Sequence, residues 1–214
     1  SGILGSFFSR SGYHVFIHQD YESRVRGGHN FFQIRFSDMP VSASRDVIDI
    51  LLAFDRATIA IHGKELSKDG IIAYDAAALK EKHSEPQFLD IPFTEVAVKL
   101  GGTRIMANTV ATGAVLGMLG TELEILTDIL KDTLRKKGDE IVSMNINLAR
   151  AGHEFALKEC LRCAFSLKPN NQRKMLISGN DAIAVGAIAS GCKFYSAYPM
   201  TPSTGIMNTI AAKA

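Results

Sequence analysis

The 214-residue chain is short of several things that would settle its class at once. Cysteine comes first: there are three, an odd number, at Cys160, Cys163 and Cys192. No disulfide framework can be read from that count, and without a signal peptide it points to a reducing cytoplasm. Cys160 and Cys163 form one C-x-x-C pair in the apparently helical "FALKECLRCAF", and no second pair exists to complete a four-cysteine metal or cluster site. Redox C-x-x-C pairs normally lie at a strand-to-helix turn, which this is not. Long apolar runs are also lacking: nothing approaches the ~18 residues of a membrane helix. Charge of one sign is scarce too. The formal net charge is +2, with no basic stripe interleaved with aromatics, which argues against a nucleic-acid or membrane-surface partner. The Arg135-Lys136-Lys137 run reads as the cationic end of a helix. No zinc spacing links His14, His18 and His29, no Ser-His-Asp arrangement has supporting context, and there is neither internal repeat nor low-complexity segment.

What is present is an ordinary globular balance, 46% hydrophobic and 21% charged, with strand and helix patterns in alternation. The opening "SGILGSFFSRSG" predicts a short helix. "YHVFIHQ" (13–19) and "NFFQIRFS" (30–37) read as strands, the second by its period of two. Between them lies the charged loop "DYESRVRGGHN" (20–30). "DVIDILLAFD" (46–55) ends in the continuous apolar run of a buried parallel strand. "ATIAIHGKELSKDG" (57–70) predicts a helix closed by Gly70, and "IIAYD" (71–75) and "FLDIP" (88–92) predict strands. "FTEVAVKLGG" (93–102) reads as a helix with Thr94 as N-cap and Gly101 as its stop. "NTVATGAVLGMLG" (108–120) is a small-residue helix suited to close packing, with Asn108 as a possible cap. "TELEILTDILKDTLRKKG" (121–138) is amphipathic and stops at Gly138. Residues 139–165 continue in helical composition with a break expected at Gly152.

The expected fold is therefore α/β, an open and mostly parallel sheet of about five strands with flanking helices, over residues 1–165. "SLKPNNQRK" (166–174) is the linker candidate, with Pro, two Asn and no periodicity. From 175 a second α/β pattern starts: strand "MLISG", helix "NDAIAVGAIASG" (180–191) capped by Asn180, strand "CKFYSAY" (192–198), the turn "PMTPS", and a further helix. Pro199 and Pro202 would fix φ on either side of Thr201 and present its hydroxyl with little entropy left to lose. Such a loop, at the C-terminal end of a parallel strand and before a helix capped by Ser203, is a usual place for an anionic ligand. An ordinary Pro-braced turn is the plainer alternative.

Two stretches carry a family resemblance. "GNDAIAVGAIASGCKFYSAYPMTPST" closely resembles the opening of the α subunit, or α domain, of the 2-oxoacid:ferredoxin oxidoreductases, with Met200 in place of the usual Ile. "DYESRVRGGHNFFQIRFSD", "DILLAFD", "GIIAYD" and "ANTVATGAVLGMLG" resemble the γ domain, which many members carry fused in front of α. The resemblance implies a γ-like domain at 1–165, a linker at 166–174, and at 175–214 the incomplete start of a thiamine-enzyme pyrimidine-type α domain. It implies oxidative decarboxylation of a 2-oxoacid to an acyl-CoA with ferredoxin as acceptor. Thiamine diphosphate, Mg2+ and iron–sulfur clusters serve the complete enzyme, and none is expected on this chain alone. The family's activating glutamate would lie beyond Ala214 and its diphosphate motif on a β subunit. The chain is thus expected to be a fragment, inactive without the rest of α and β, and to contribute no catalytic residue or metal ligand.

By the same resemblance Thr201 contacts the substrate carboxylate, with Tyr198, Pro199 and Ser203 shaping the site. Arg26, Gly27 and Gly28 are the candidates for coenzyme A, because two glycines permit close backbone approach and Arg26 suits a phosphate. A tight turn with Arg24 and Arg26 paired to Asp20 or Glu22 remains open. The front end departs from the family, whose γ domain opens with a strand and a Gly-rich turn. The competing function is a stand-alone Rossmann-like nucleotide-binding module, but that needs G-x-G-x-x-G after a strand and an acid ~20 residues on, a spacing the sequence does not show.

Overall fold

The computed structural model describes residues 2–20, 28–161, 163, 165–170, 172–201 and 203–213. The chain divides into two compact units, residues 1–174 and 175–214.

In the first unit, α1 (Gly2–Arg10) leads into β1 (His14–Asp20), which pairs antiparallel with β2 (Phe31–Ser37). A separate three-stranded parallel sheet, in the order β3-β4-β5, is built from β3 (Ile48–Ala53), β4 (Leu66–Tyr74) and β5 (Phe88–Asp90). The α/β class is as expected. The five strands, however, form two sheets rather than one open sheet among the described residues. Helices α2 (Arg56–His62) and α3 (Ala76–Leu79) follow β3 and β4, and α4 (Phe93–Lys99), α5 (Ala107–Met118), α6 (Glu124–Leu134) and α7 (Asp139–Glu159) follow β5.

The expected helix over 57–70 is wrong beyond His62. A 3-10 turn spans Gly63–Glu65, and Leu66 already pairs with Ile48 in the ladder. The next pairs are Ile50 with Ile71 and Leu51 with Ile72, so residues 67–70 bulge out of register. Gly70 interrupts a strand instead of stopping a helix, because β4 is anchored by its buried run Gly70–Tyr74 and the bulge absorbs the polar residues before it.

Each β3-to-β5 strand ends in an aspartate that closes a neighbouring helix. Asp55 accepts from the Thr58 amide at 2.7 Å, capping α2. Asp75 accepts from the Ala78 amide and from the Thr94 amide, both at 2.9 Å. Asp90 accepts from the Ala76 amide. These bonds satisfy amides that the helices leave orphaned. Thr94 is consequently not an N-cap: α4 starts at Phe93, and Asp75 reaches across to its first turn. Asn108 is likewise inside α5, which begins at Ala107.

The core is built on α5. Its Val110, Ala111, Ala114 and Leu116 are fully or almost fully buried, alongside Phe7, Phe8, Ile91, Phe93 and Leu148. Helix α7 lies against α5 at backbone distance. A β-carbon on Gly113 would collide with the Ala149 carbonyl, one on Gly117 with the His153 carbonyl, and one on Gly152 with the Val110 carbonyl. Gly152 therefore does not break α7, which runs unbroken for 21 residues; it is the point of closest approach. Of the glycines in "GAVLGMLG", Gly113 and Gly117 lie inside α5 and are used in packing against α7, and Gly120 turns the chain past the helix end at φ +59, so the stretch is a packed helix and not a phosphate loop. One polar crossing satisfies the buried Asn145: the Thr109 hydroxyl donates to its Oδ1, and its Nδ2 donates to the Ile141 carbonyl.

Cys160 caps the end of α7 and is disulfide-bonded to Cys163. Helix formation ends at Glu159, so the C-x-x-C that the sequence placed in a helical stretch lies past the helix end. Cys192 is free and exposed. The expected linker 166–174 is fastened to the first unit. The Leu167 amide donates to the Leu119 carbonyl, and the Asn170 and Lys174 amides donate to Ser11 and Ser9 carbonyls. Lys174 Nζ reaches the Gly12 carbonyl at 2.6 Å, and Leu167 is buried.

In the second unit, α8 (Gly179–Ala189) and α9 (Ser203–Lys213) form a helix pair. The expected strands at 175–179 and 192–198 are not formed. Met175, Phe194 and Tyr198 are exposed, and a strand exists only through a neighbouring strand, of which this unit has none among the described residues. Ser178, not Asn180, caps α8, its hydroxyl accepting from the Asp181 amide at 3.1 Å. Gly191 closes the helix with φ +82.

Candidate functional site

The loop 198–203 sits directly before α9. Met200 N donates to the Tyr198 carbonyl at 2.8 Å, and the Thr204 amide donates to Met200. The Ser203 hydroxyl lies 2.6 Å from the Tyr198 carbonyl and 2.7 Å from that of Met200. Ser203 thus braces the loop backwards rather than capping α9 with its oxygen. Thr201, between these anchors, is exposed, and its hydroxyl is bonded to no described residue. Tyr198 is 79% exposed and Met200 63% exposed. Pro199 is also exposed; Pro202 lies outside the described residues. The result is an exposed hydroxyl on a turn braced by Ser203, just before the N-terminus of an eleven-residue helix.

Behind the loop, α9 is tied to α8 by side chains. The Thr209 hydroxyl donates to Asp181 Oδ1, and the Ser178 hydroxyl donates to Asp181 Oδ2 at 2.6 Å. These two hydroxyls, aided by the Lys213 charge, hold the Asp181 carboxyl below the usual carboxylate range against a smaller opposing effect of desolvation.

The coenzyme A candidates fare differently. Arg26 and Gly27, with Arg24 and Glu22, lie outside the described residues. Gly28 has φ +109, a conformation that a side chain would oppose, consistent with a tight turn there. Next to it sequence reasoning missed a constellation. His29 Nε2 lies 2.9 Å from His62 Nε2, and His62 Nδ1 lies 2.8 Å from Glu65 Oε2. When Nδ1 donates to Glu65, a neutral His62 accepts at Nε2 and His29 donates. Phe31 meets the His62 ring edge-on at 4.7 Å. The three polar residues are 33 and 3 positions apart, so no local spacing announced them. His14 and His18 do not join them. A shallow cleft of about 490 Å3 opens at the β4 bulge, lined by Gly63, Leu66, Lys68, Gly70 and Gln87.

Among the described residues no three His, Cys, Asp or Glu side chains converge as a metal site, and no helix is long and apolar enough to cross a membrane. Cys160 and Cys163 are bonded to each other, and Cys192 is free and exposed.

A family model described as pyruvate ferredoxin/flavodoxin oxidoreductase matches residues 1–155. The chain belongs to this family. Among relatives of this chain, the 2-oxoacid:ferredoxin oxidoreductase subunit alpha of Saccharolobus solfataricus is 26% identical over 251 residues, covering 95% of the chain and 38% of the relative. The 2-oxoglutarate synthase subunit KorC of Archaeoglobus fulgidus is 25% identical over 145 residues, covering 67% of the chain and 75% of the relative. The fold matches 2-oxoglutarate:ferredoxin oxidoreductase from Magnetococcus marinus, solved with 2-oxoglutarate, coenzyme A and succinyl-CoA bound. The TM-score is 0.85 at 24% identity, over 99% of the chain and 38% of that one. The chain thus spans under two fifths of the length of the α subunit it matches.

Proposed function

We propose that the chain is the γ-like domain and the opening of the α domain in the α subunit of a 2-oxoacid:ferredoxin oxidoreductase. The complex would decarboxylate a 2-oxoacid oxidatively to an acyl-CoA, with ferredoxin as acceptor and a β subunit as partner. The observation that carries this reading is the loop 198–203, with the exposed Thr201 hydroxyl set before the N-terminus of α9.

In this reading Thr201 donates to the carboxylate of the 2-oxoacid. The amides opening α9 supply partial positive charge on the same side, which favours an anion. Tyr198 and Pro199 shape the approach, and Ser203 keeps the turn closed through its bonds to Tyr198 and Met200. The loop does not perform the redox chemistry. Thiamine diphosphate, Mg2+ and iron–sulfur clusters are assigned in this reading to the rest of the α and β complex. Coenzyme A is assigned to the loop 20–30, where the positive φ of Gly28 supports a turn open to close approach. On its own the chain binds and positions; it does not turn over.

The test is an anaerobic assay of the intact α and β complex for 2-oxoacid- and CoA-dependent reduction of a viologen dye. Thr201→Val keeps the shape and removes the donor. A hydrogen bond to a charged group contributes about 1.5–3 kcal/mol, so kcat/KM for the 2-oxoacid should fall roughly 10- to 100-fold. An unchanged value would remove Thr201 from the site.

A further inference from the structure

The loop that carries Thr201 has no buried anchor of its own; Tyr198, Pro199 and Met200 are all exposed. Its position is set at one end by α9, whose first residue, Ser203, bonds to the Tyr198 and Met200 carbonyls. Helix α9 is in turn registered on α8 by two contacts. Gly205 lies so close to Asn180 that a β-carbon there would meet its side-chain amide. About one turn further along, the Thr209 hydroxyl donates to Asp181, while also lying 3.1 Å from the Gly205 carbonyl. Asp181 itself is fixed at the start of α8 by Ser178, whose hydroxyl donates to one carboxylate oxygen and accepts from the Asp181 amide. Both Asp181 oxygens are therefore committed, one to its own helix and one to α9.

We propose that Asp181, through Thr209, is a positioning residue for the 2-oxoacid: it sets the register of α9 on α8 and so the place of the Thr201 hydroxyl. This rests on the reading of the 198–203 loop as the substrate-carboxylate contact. Asp181 does not touch the substrate. It acts along Thr209, α9, Ser203 and the Tyr198 and Met200 carbonyls. A carboxylate suits the role because it accepts two hydroxyl donors at once with no proton to place. Asn offers one acceptor oxygen, and its amide nitrogen holds the second hydroxyl only if that hydroxyl turns from donor to acceptor, so the present pair of bonds is not kept.

The experiment uses the whole α and β complex and two independent readouts. Asp181→Asn and Thr209→Val should each raise KM for the 2-oxoacid about three- to tenfold, while KM for CoA stays within twofold of the parent. The double variant should be no worse than either single one, since both cut the same link. Thr209→Ser keeps the hydroxyl and should restore the parent value. Hydrogen–deuterium exchange at residues 203–206 should quicken in Asp181→Asn and Thr209→Val but not in Thr209→Ser. Should Asp181→Asn fail to fold, the Thr209 pair decides alone. Active variants with an unchanged 2-oxoacid KM would overturn the inference and leave the functional reading standing. So would additive effects in the double variant, or KM rising equally for both substrates. A parent complex with altered exchange in the variants but no 2-oxoacid-dependent activity would overturn the functional reading, and the positioning role with it.

Discussion

Two helix pairs in this molecule are joined in opposite ways. In α5 and α7 the joint is mainly apolar and made by subtraction, with Thr109 to Asn145 as its one described polar crossing: Gly113, Gly117 and Gly152 bring backbone to backbone, and the surrounding Val110, Leu116 and Leu148 are buried to 0% exposure. In α8 and α9 one glycine contact, Gly205 on Asn180, is joined by a polar link through Asp181, Thr209 and Ser178, while Ile183 and Val185 of α8 remain exposed. The first joint has no adjustable part, since close-packed backbone admits no new atom. The second depends on the orientation of two hydroxyls. A scaffold is served by the first kind, and a loop that must place one hydroxyl by the second.

The comparison breaks hardest at α5. Gly113→Val would drive two methyl groups into the Ala149 backbone. Overpacking of this sort costs about 3 kcal/mol or more, so thermal denaturation should show the first unit melting roughly 6–12 °C lower, or not folding. A smaller effect is expected at the end of α7. Opening the Cys160–Cys163 bond releases a four-residue loop, which on chain-entropy grounds contributes about 2 kcal/mol. A melting curve with and without a thiol reductant should differ by several degrees, and Cys163→Ser should make the protein indifferent to the reductant.

The smallest effect concerns the polar joint. Asp181 is held below the usual carboxylate range in the folded state, so between its folded value and the ordinary aspartate value of about 3.9 the unfolded chain binds more protons. Its contribution is therefore complete above that ordinary value and is lost as the pH falls through the folded one. At neutral pH the α8–α9 pair should be indifferent to pH. Exchange at α9 amides should quicken only in acid below about pH 4, and Asp181→Asn should abolish that dependence.

The parts of the fold legible in the sequence are those fixed by local periodicity. The period-two pattern of Phe32, Ile34 and Phe36 located β2, and the spacing of Leu126, Ile129 and Leu130 located the buried face of α6. The small residues of 108–120 announced a close helix contact, though not that Gly152 would be its other half. What failed depended on partners distant in sequence. Gly70 read as a helix stop because nothing local says that Leu66 pairs with Ile48. The run 192–198 has strand composition, but its pairing is not available within its own unit among the described residues. At the candidate site the Tyr-Pro-Met-Thr-Pro loop stood out by its prolines and by resemblance. Asp181 with Thr209 did not, because the link spans 28 residues and uses one ordinary threonine. The His29, His62 and Glu65 chain was hidden for the same reason.

The fastening of 166–174 to the first unit matters to a protease. Its composition, with Pro, Asn and basic residues, is what proteolytic nicking favours. Cleavage, though, requires a segment that can be drawn out into an enzyme cleft. Lys168 is followed by Pro169, and the Lys174 side chain is engaged on the Gly12 carbonyl. Arg173 is exposed, yet the amide just after it is held on Ser9. A segment that reads as the obvious place to cut the chain in two is, for trypsin, largely closed.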